Sequence, residues 1–150
     1  EDLANVIDLL AKQGEAGAVF IDYIQRIPTP PQGQRYLDIK QISDLLLKQA
    51  VSLDLPIILG AQLGRGDKTI GSKVRLDNLR ESGDIEQDAN LVIGLYSKEV
   101  EELQEKEPSI TKRDAITDIQ ITILKNRGGV AGRAKDFSCN FSIYTITDKN

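Results

Sequence analysis

Apolar residues recur along the chain with two different periods, and the change between them divides it. Leu3, Val6, Ile7 and Leu10 stand at helical spacing and stop at Gly14, a good C-terminal cap residue. Ala18 to Ile24 is a short, nearly continuous apolar run broken by Asp22, the pattern of a strand buried on both faces of a parallel sheet. Pro28, Pro30, Pro31 and Gly33 then mark a surface loop. A long amphipathic helix follows, with Ile39, Ile42, Leu45, Leu46, Ala50 and Leu53 on one face. Pro56 blocks its continuation, and Ile57 to Gln62 reads as a second buried strand. Gly64 to Gly71 is a polar, glycine-rich stretch expected to be a mobile loop. Leu79 to Ala89 holds a short acidic helix, and Leu91 to Tyr96 is a third apolar run.

Beyond a charged stretch from Lys98 to Lys106, which reads as a helix, the period becomes two. Ile119, Ile121 and Ile123 alternate with Gln120 and Thr122; Phe137, Cys139, Phe141 and Ile143 alternate with Ser138, Asn140 and Ser142. These runs flank Asn126-Arg127-Gly128-Gly129 and predict an antiparallel hairpin with a glycine turn. The expected fold is therefore α/β: a mostly parallel sheet flanked by helices, ending in an antiparallel hairpin.

Composition narrows the class. At 150 residues, 40% of them hydrophobic and 28% charged, the chain has one domain's worth of sequence and can bury a core. No apolar run approaches the roughly 20 residues that span a bilayer, and no basic-then-apolar segment opens the chain, so neither membrane nor secretion is expected. With no histidine and Cys139 alone, a structural zinc site and an internal disulfide are excluded, which suits a reducing, cytoplasmic setting. There is no methionine, even at position 1, so the chain is expected to begin inside a longer gene product or to be processed.

The net charge of −4 gives no global sign of nucleic-acid binding. Locally the picture differs. Arg65 to Arg80 carries five basic residues against two acidic, Lys125 to Lys135 four against none, and Lys98 to Glu107 five glutamates against two lysines. Two basic segments on an acidic body fit either local anion contacts or plain solvated loops.

Four positions could carry chemistry. Asp22 closes a hydrophobic run at the carboxyl end of a predicted parallel strand, the edge where α/β sheets bind ligands. It could hold magnesium, or cap the following turn. Gln62 ends the second strand, where an amide can report the state of a phosphate or bond to backbone. Arg80-Glu81-Ser82-Gly83-Asp84 joins a charged lead-in to a short helix. Its N–H groups near Gly83 and the Arg80 guanidinium could meet a DNA phosphate, or the segment could be a capped surface helix. Lys125 and Arg127 stand two apart on one side of a strand, so both heads can reach one anion, or they are a solvated tip.

Together, Phe20-Ile21-Asp22-Tyr23-Ile24-Gln25, Ala61-Gln62-Leu63, Leu79 through Asn90, and Lys125-Asn126-Arg127-Gly128-Gly129 resemble, in order and spacing, the C-terminal half of the RecA-like motor domain of DnaB-type replicative DNA helicases. The Arg-Glu-Ser-Gly-Asp-Ile-Glu-Gln-Asp-Ala string is the specific element. The others are shared more loosely among RecA-like ATPases. The resemblance implies an ATP- and Mg2+-dependent helicase that works as a hexamer on single-stranded DNA, with a primase and a helicase loader as further partners. It implies that Asp22 helps hold magnesium and that Gln62 couples phosphate state to the DNA-facing loop. Arg80, Glu81 and Gly83 would track the DNA backbone, and Lys125 and Arg127 would reach the γ-phosphate of the adjacent subunit.

One departure stands beside these matches. The chain has no G-x-x-x-x-G-K-S/T phosphate loop. By the resemblance, that loop and the catalytic glutamate lie upstream, residues 1–150 are a partial RecA-like domain downstream of Walker A, and a central sheet strand is missing. The fragment alone is not expected to hydrolyse ATP. Two alternatives remain: a non-catalytic RecA-like DNA-binding or assembly module, and a phage, plasmid or recombination RecA-like ATPase.

Overall fold

The computed structural model describes residues 2–31, 33–63, 74–76, 83–97 and 116–149. They form α1 (Asp2–Lys12), β1 (Val19–Ile21), a 3-10 turn (Ile24–Arg26), α2 (Arg35–Ser52), β2 (Ile57–Leu59), α3 (Gly83–Asp88), β3 (Leu91–Tyr96), β4 (Ile116–Asn126), β5 (Ala134–Asn140) and β6 (Thr145–Asp148). The chain divides into two compact units, Glu1–Gly64 with Leu79–Ala89, and Arg65–Asn78 with Asn90–Asn150.

The first unit contains the parallel pair β1–β2, in register Val19↔Ile57, Phe20↔Ile58, Ile21↔Leu59. Both helices before these strands end in the same way. Gly14 (φ 71°) follows α1, with the Glu15 N–H on the Leu10 carbonyl at 3.0 Å. Asp54 (φ 49°) follows α2, with the Leu55 N–H on the Ala50 carbonyl at 3.0 Å. A left-handed residue followed by this six-to-one bond satisfies orphan helix carbonyls and turns the chain sharply into the next segment. Pro56 then leads into β2.

The core of this unit is a double cluster. Ile7, Leu46 and Leu55 pack with Val19, Ile21, Ile57 and others. Ile24, Ile39 and Ile85 pack with Ile27 and Ala61, and Ile42 and Leu59 touch both clusters. The amphipathic reading of α2 holds at Ile39, Ile42 and Leu46, but Leu45 is 42% exposed. Ser43 is buried there instead, and its hydroxyl donates to the Asp88 carboxylate at 2.6 Å.

The expected double-sided burial of the first apolar run is not observed. β1 covers three residues of it, and Phe20 is 76% exposed among the described residues. Its register partner Ile58 is also exposed, so one face of the pair is open.

The second unit is a four-stranded antiparallel sheet in the order β3-β4-β5-β6. The α/β class and the mixture of parallel and antiparallel pairing are as expected, but the antiparallel part is larger. The third apolar run pairs antiparallel with β4 rather than joining the parallel pair. A fourth strand, β6, also forms, because Phe141–Tyr144 turn the chain instead of extending β5. Tyr144 sits at φ 51°, and the Asn140 side-chain oxygen accepts the Ser142 N–H at 3.0 Å. The expected helix at Lys98–Lys106 and the loop from Gly64 lie outside the described residues.

Ile24 and Ile39 are the largest fully buried side chains described. Ile39→Ala removes three carbons from the cluster shared by α2, α3 and the 3-10 turn, and should destabilise the protein by about 2–5 kcal/mol. Denaturant unfolding monitored by circular dichroism reads this directly; a loss below about 1 kcal/mol would mean the site collapses or is not core.

Candidate functional site at the carboxyl edge of the parallel pair

Because β1 and β2 run parallel and end in register at Ile21 and Leu59, the residues that follow them emerge at one edge. These residues are Asp22 and the segment Gly60-Ala61-Gln62. Backbone bonds continue past the strands: the Gly60 N–H donates to the Ile21 carbonyl at 2.8 Å, and the Ile24 N–H donates to the Gly60 carbonyl at 2.9 Å. The peptide between Asp22 and Tyr23 is cis.

Gly60 is what allows this closeness. A Cβ there would lie 3.3 Å from the Ile21 carbonyl oxygen, 3.3 Å from the Tyr23 Cβ and 3.5 Å from Asp22 Oδ1. The Asp22 carboxylate therefore stands directly over the Gly60 backbone, and it is exposed. Where the backbones run this close, any side chain would press on the loop that carries the carboxylate.

Past Gly60 the ladder is completed by a side chain. The Gln25 Oε1 accepts the Gln62 N–H at 3.2 Å, and Gln25 Nε2 donates to the Gln62 carbonyl at 3.3 Å. Gln25 is itself fixed at its backbone, where Arg35 Nη2 donates to its carbonyl at 2.6 Å. The sequence places Gln25 inside the Phe20–Gln25 string but gives no sign of this pairing, which depends on the chain leaving β1 as a 3-10 turn.

Among the described residues no group of three or more His, Cys, Asp or Glu side chains could hold a metal. Magnesium is commonly held by one or two carboxylates, with phosphate oxygens and water completing the shell. A single open carboxylate at a strand edge, such as Asp22, fits that mode.

The Arg80–Asp84 segment is described in part. Arg80 and Glu81 lie outside the described residues. Gly83 is the first residue of α3, and α3 is anchored by Ile85 in the core and by the Ser43–Asp88 bond. Neither anchor was legible in the charge pattern that marked this segment.

In the second unit, Lys125 lies near the end of β4, half-buried, and Arg127 follows the strand, exposed. Val92 pairs with Lys125 but Ile93 pairs with Ile123, so Leu124 is an extra residue on β4. Such a bulge re-aims the strand that carries it. Gly94 opens space beside it, since a Cβ there would come within 2.9 Å of Leu124 and 3.1 Å of Val74. β4 pairs with β5 as far as Thr122, so the glycine turn is the tip of a longer loop rather than a tight hairpin. Asn126 closes that tip by accepting the Gly128 N–H at 3.1 Å. Arg127 is clamped to Asn90 at two points, N–H to carbonyl at 2.9 Å and Nη1 to Oδ1 at 3.2 Å.

The family model described as "DnaB-like helicase C terminal domain" matches residues 1–144. The chain belongs to that family. Among relatives, the probable plasmid replicative DNA helicase of Chlamydia trachomatis is 34% identical over 128 residues, 85% of this chain and 25% of that protein. The replicative DNA helicase DnaB of Mycoplasma pneumoniae is 28% identical over 155 residues, all of this chain and 32% of that one. A solved ATPase domain superposes with a TM-score of 0.75 at 25% identity, covering 99% of this chain and 50% of that chain. A DnaB-like replicative helicase, solved in a study of its interactions with primase, gives the same TM-score over 35% of its length. The chain thus spans about a quarter to a third of the length of these curated relatives. Its fold is that of the family's RecA-like ATPase domain.

Gly60→Val would set a branched side chain against the Ile21 carbonyl and the Tyr23 Cβ. It should cost about 1–3 kcal/mol of stability by overpacking. A denaturation midpoint equal to that of the unaltered protein would show that the β1–β2 edge has room to give.

Proposed function

We propose that the chain is the part of a RecA-like ATPase domain that follows the phosphate-binding loop, in a hexameric replicative helicase that moves along single-stranded DNA by hydrolysing ATP. The observation that carries this reading is the edge itself. Asp22 directly follows one strand of the parallel pair, close to Gly60, and Gln62 lies three residues past the other, so both leave at the same edge, in a chain that belongs to the DnaB-like family.

In this reading Asp22 helps hold the Mg2+ that accompanies ATP, which neutralises charge on the phosphates. Gln62 responds to the state of the γ-phosphate and passes it to the DNA-facing segment. Arg80, Glu81 and the N–H groups near Gly83 hold the DNA backbone. Lys125 and Arg127 reach the γ-phosphate bound by the neighbouring subunit, Arg127 as a planar fork and Lys125 as a point charge. The two-point clamp by Asn90 and the closed Asn126–Gly128 turn support that role, because a group supplied across a subunit boundary must be held in place before its target arrives.

The open faces at Phe20 and Ile58, and at Leu91, Ile93 and Leu95 on β3, support the partial-domain reading. So does the coverage of only half of the solved ATPase domain. Primase is proposed as a partner because a structural relative was solved in that context, and a helicase loader because a closed ring must be opened onto DNA. The cytoplasm, as part of a bacterial or phage replication machinery, is the setting proposed for it.

Two outcomes test the assignment in the full-length protein. Arg127→Ala should lower the steady-state ATPase rate by roughly 10³-fold or more while nucleotide binding, read by fluorescence titration, changes little. Surviving hydrolysis would remove Arg127 from the reaction. Arg80→Ala should weaken single-stranded DNA binding evenly across sequences and reduce the slope of log K against log salt by about 1. An unchanged slope would mean that Arg80 meets no phosphate.

A further inference from the structure

The parallel ladder between the two site-bearing segments runs on where the backbone can no longer supply it. Gly60 and Gln62, two residues apart, turn their backbone groups toward the first segment, as alternate residues of a parallel strand do. Gly60 finds its partners in the main chain at Ile21 and Ile24. Gln62 does not, because the first segment has coiled into the Ile24–Arg26 turn by that point. The primary amide of Gln25 takes the place of the missing peptide group, presenting its oxygen to the Gln62 N–H and its nitrogen to the Gln62 carbonyl.

We infer that Gln25 is a positioning residue for Gln62, fixing the backbone of the phosphate-responsive glutamine so that its side chain changes state as a switch rather than drifting with the loop. The inference rests on the proposed role of Gln62. It assigns to Gln25 no contact with nucleotide or DNA.

The chemistry of the amide is specific to this task. A side chain must offer one donor and one acceptor side by side on one planar group to satisfy both groups of Gln62, as the carboxamide of glutamine or asparagine does. Asparagine is one methylene shorter. The Gln25 side chain is half-buried and its own carbonyl is tied to Arg35 at the start of α2, so the anchor is stationary. The Gln62 side chain is exposed, and it extends from a backbone held at both its polar groups. A held backbone with an exposed side chain suits a two-state reporter, since coupling between sites demands discrete arrangements.

The experiment uses the full-length protein and compares ATPase rates with and without oligothymidylate as the single-stranded DNA probe. Gln25→Ala should lower the stimulation by DNA about tenfold, within the usual range of coupling between sites. The KM for ATP should stay within about twofold, because uniform binding of nucleotide is not touched. Gln25→Glu keeps the length and the acceptor but sets an oxygen against the Gln62 carbonyl, so stimulation should fall there too. In the double variant Gln25→Ala with Gln62→Ala, stimulation should be no lower than in Gln62→Ala alone, since both changes break one unit. Unchanged stimulation in Gln25→Glu, or a fully additive double variant, would overturn the inference. Gln62→Ala separates the two levels: if it leaves stimulation intact, the role of Gln62 is wrong and the inference falls with it. If it uncouples and Gln25→Ala does not, the inference alone falls.

Discussion

The register between β1 and β2 is the constraint on which the candidate site depends. Parallel pairing of Val19–Ile21 with Ile57–Leu59 sends both chains out at the same edge, and no antiparallel arrangement of these residues would do so. Four further bonds lock it: the Gly60 backbone to Ile21 and to Ile24, and two between the Gln25 amide and the Gln62 backbone. A slip of one residue would turn Phe20 inward and Ile21 outward, exchanging the packed face for the open one. Burial therefore holds the register, and the register holds Asp22 and Gln62 at one edge.

Much of this was legible in the sequence, and the failures have separate physical causes. α1, α2 and their stops at Gly14 and Pro56 follow from spacing and from residues whose backbone preferences are strong. Asp22 and Gln62 were marked by ending apolar runs. The apolar runs themselves overstated burial. Phe20, Ile58, Leu91, Ile93 and Leu95 have the composition of two-sided core, and each is exposed among the described residues. A sequence records what a position is suited to pack against, and says nothing of whether the packing partner is at hand. β6 was missed for a different reason: alternation through Phe141 and Ile143 continues across a turn that is made by Asn140 and the left-handed Tyr144. Periodicity cannot see a turn formed by hydrogen bonds.

The residues that hold the site were also illegible, because their partners are distant in the chain. Ser43 and Asp88 are 45 positions apart, Gln25 and Gln62 are 37 apart, and so are Asn90 and Arg127. Each pair fixes a segment assigned to function by tying a polar side chain to another element. Neutral bonds such as those between Gln25 and Gln62 contribute modestly to stability, about 0.5–1.5 kcal/mol net. Their greater effect is to remove alternative placements for a loop.

The outer strand β6 carries a consequence of its own. Among the described residues it ends the antiparallel sheet, and an outermost strand offers unpaired backbone groups to any similar strand it meets. Here its last residues are held by neighbours: Lys135 bonds Asp148 at 2.6 Å while lying over the Phe137 ring, and Lys149 bonds Asp118. An incoming strand would have to dock beside this latticework of opposite charges and desolvate part of it. Such a fringe discourages adhesive pairing between the sheets of neighbouring copies.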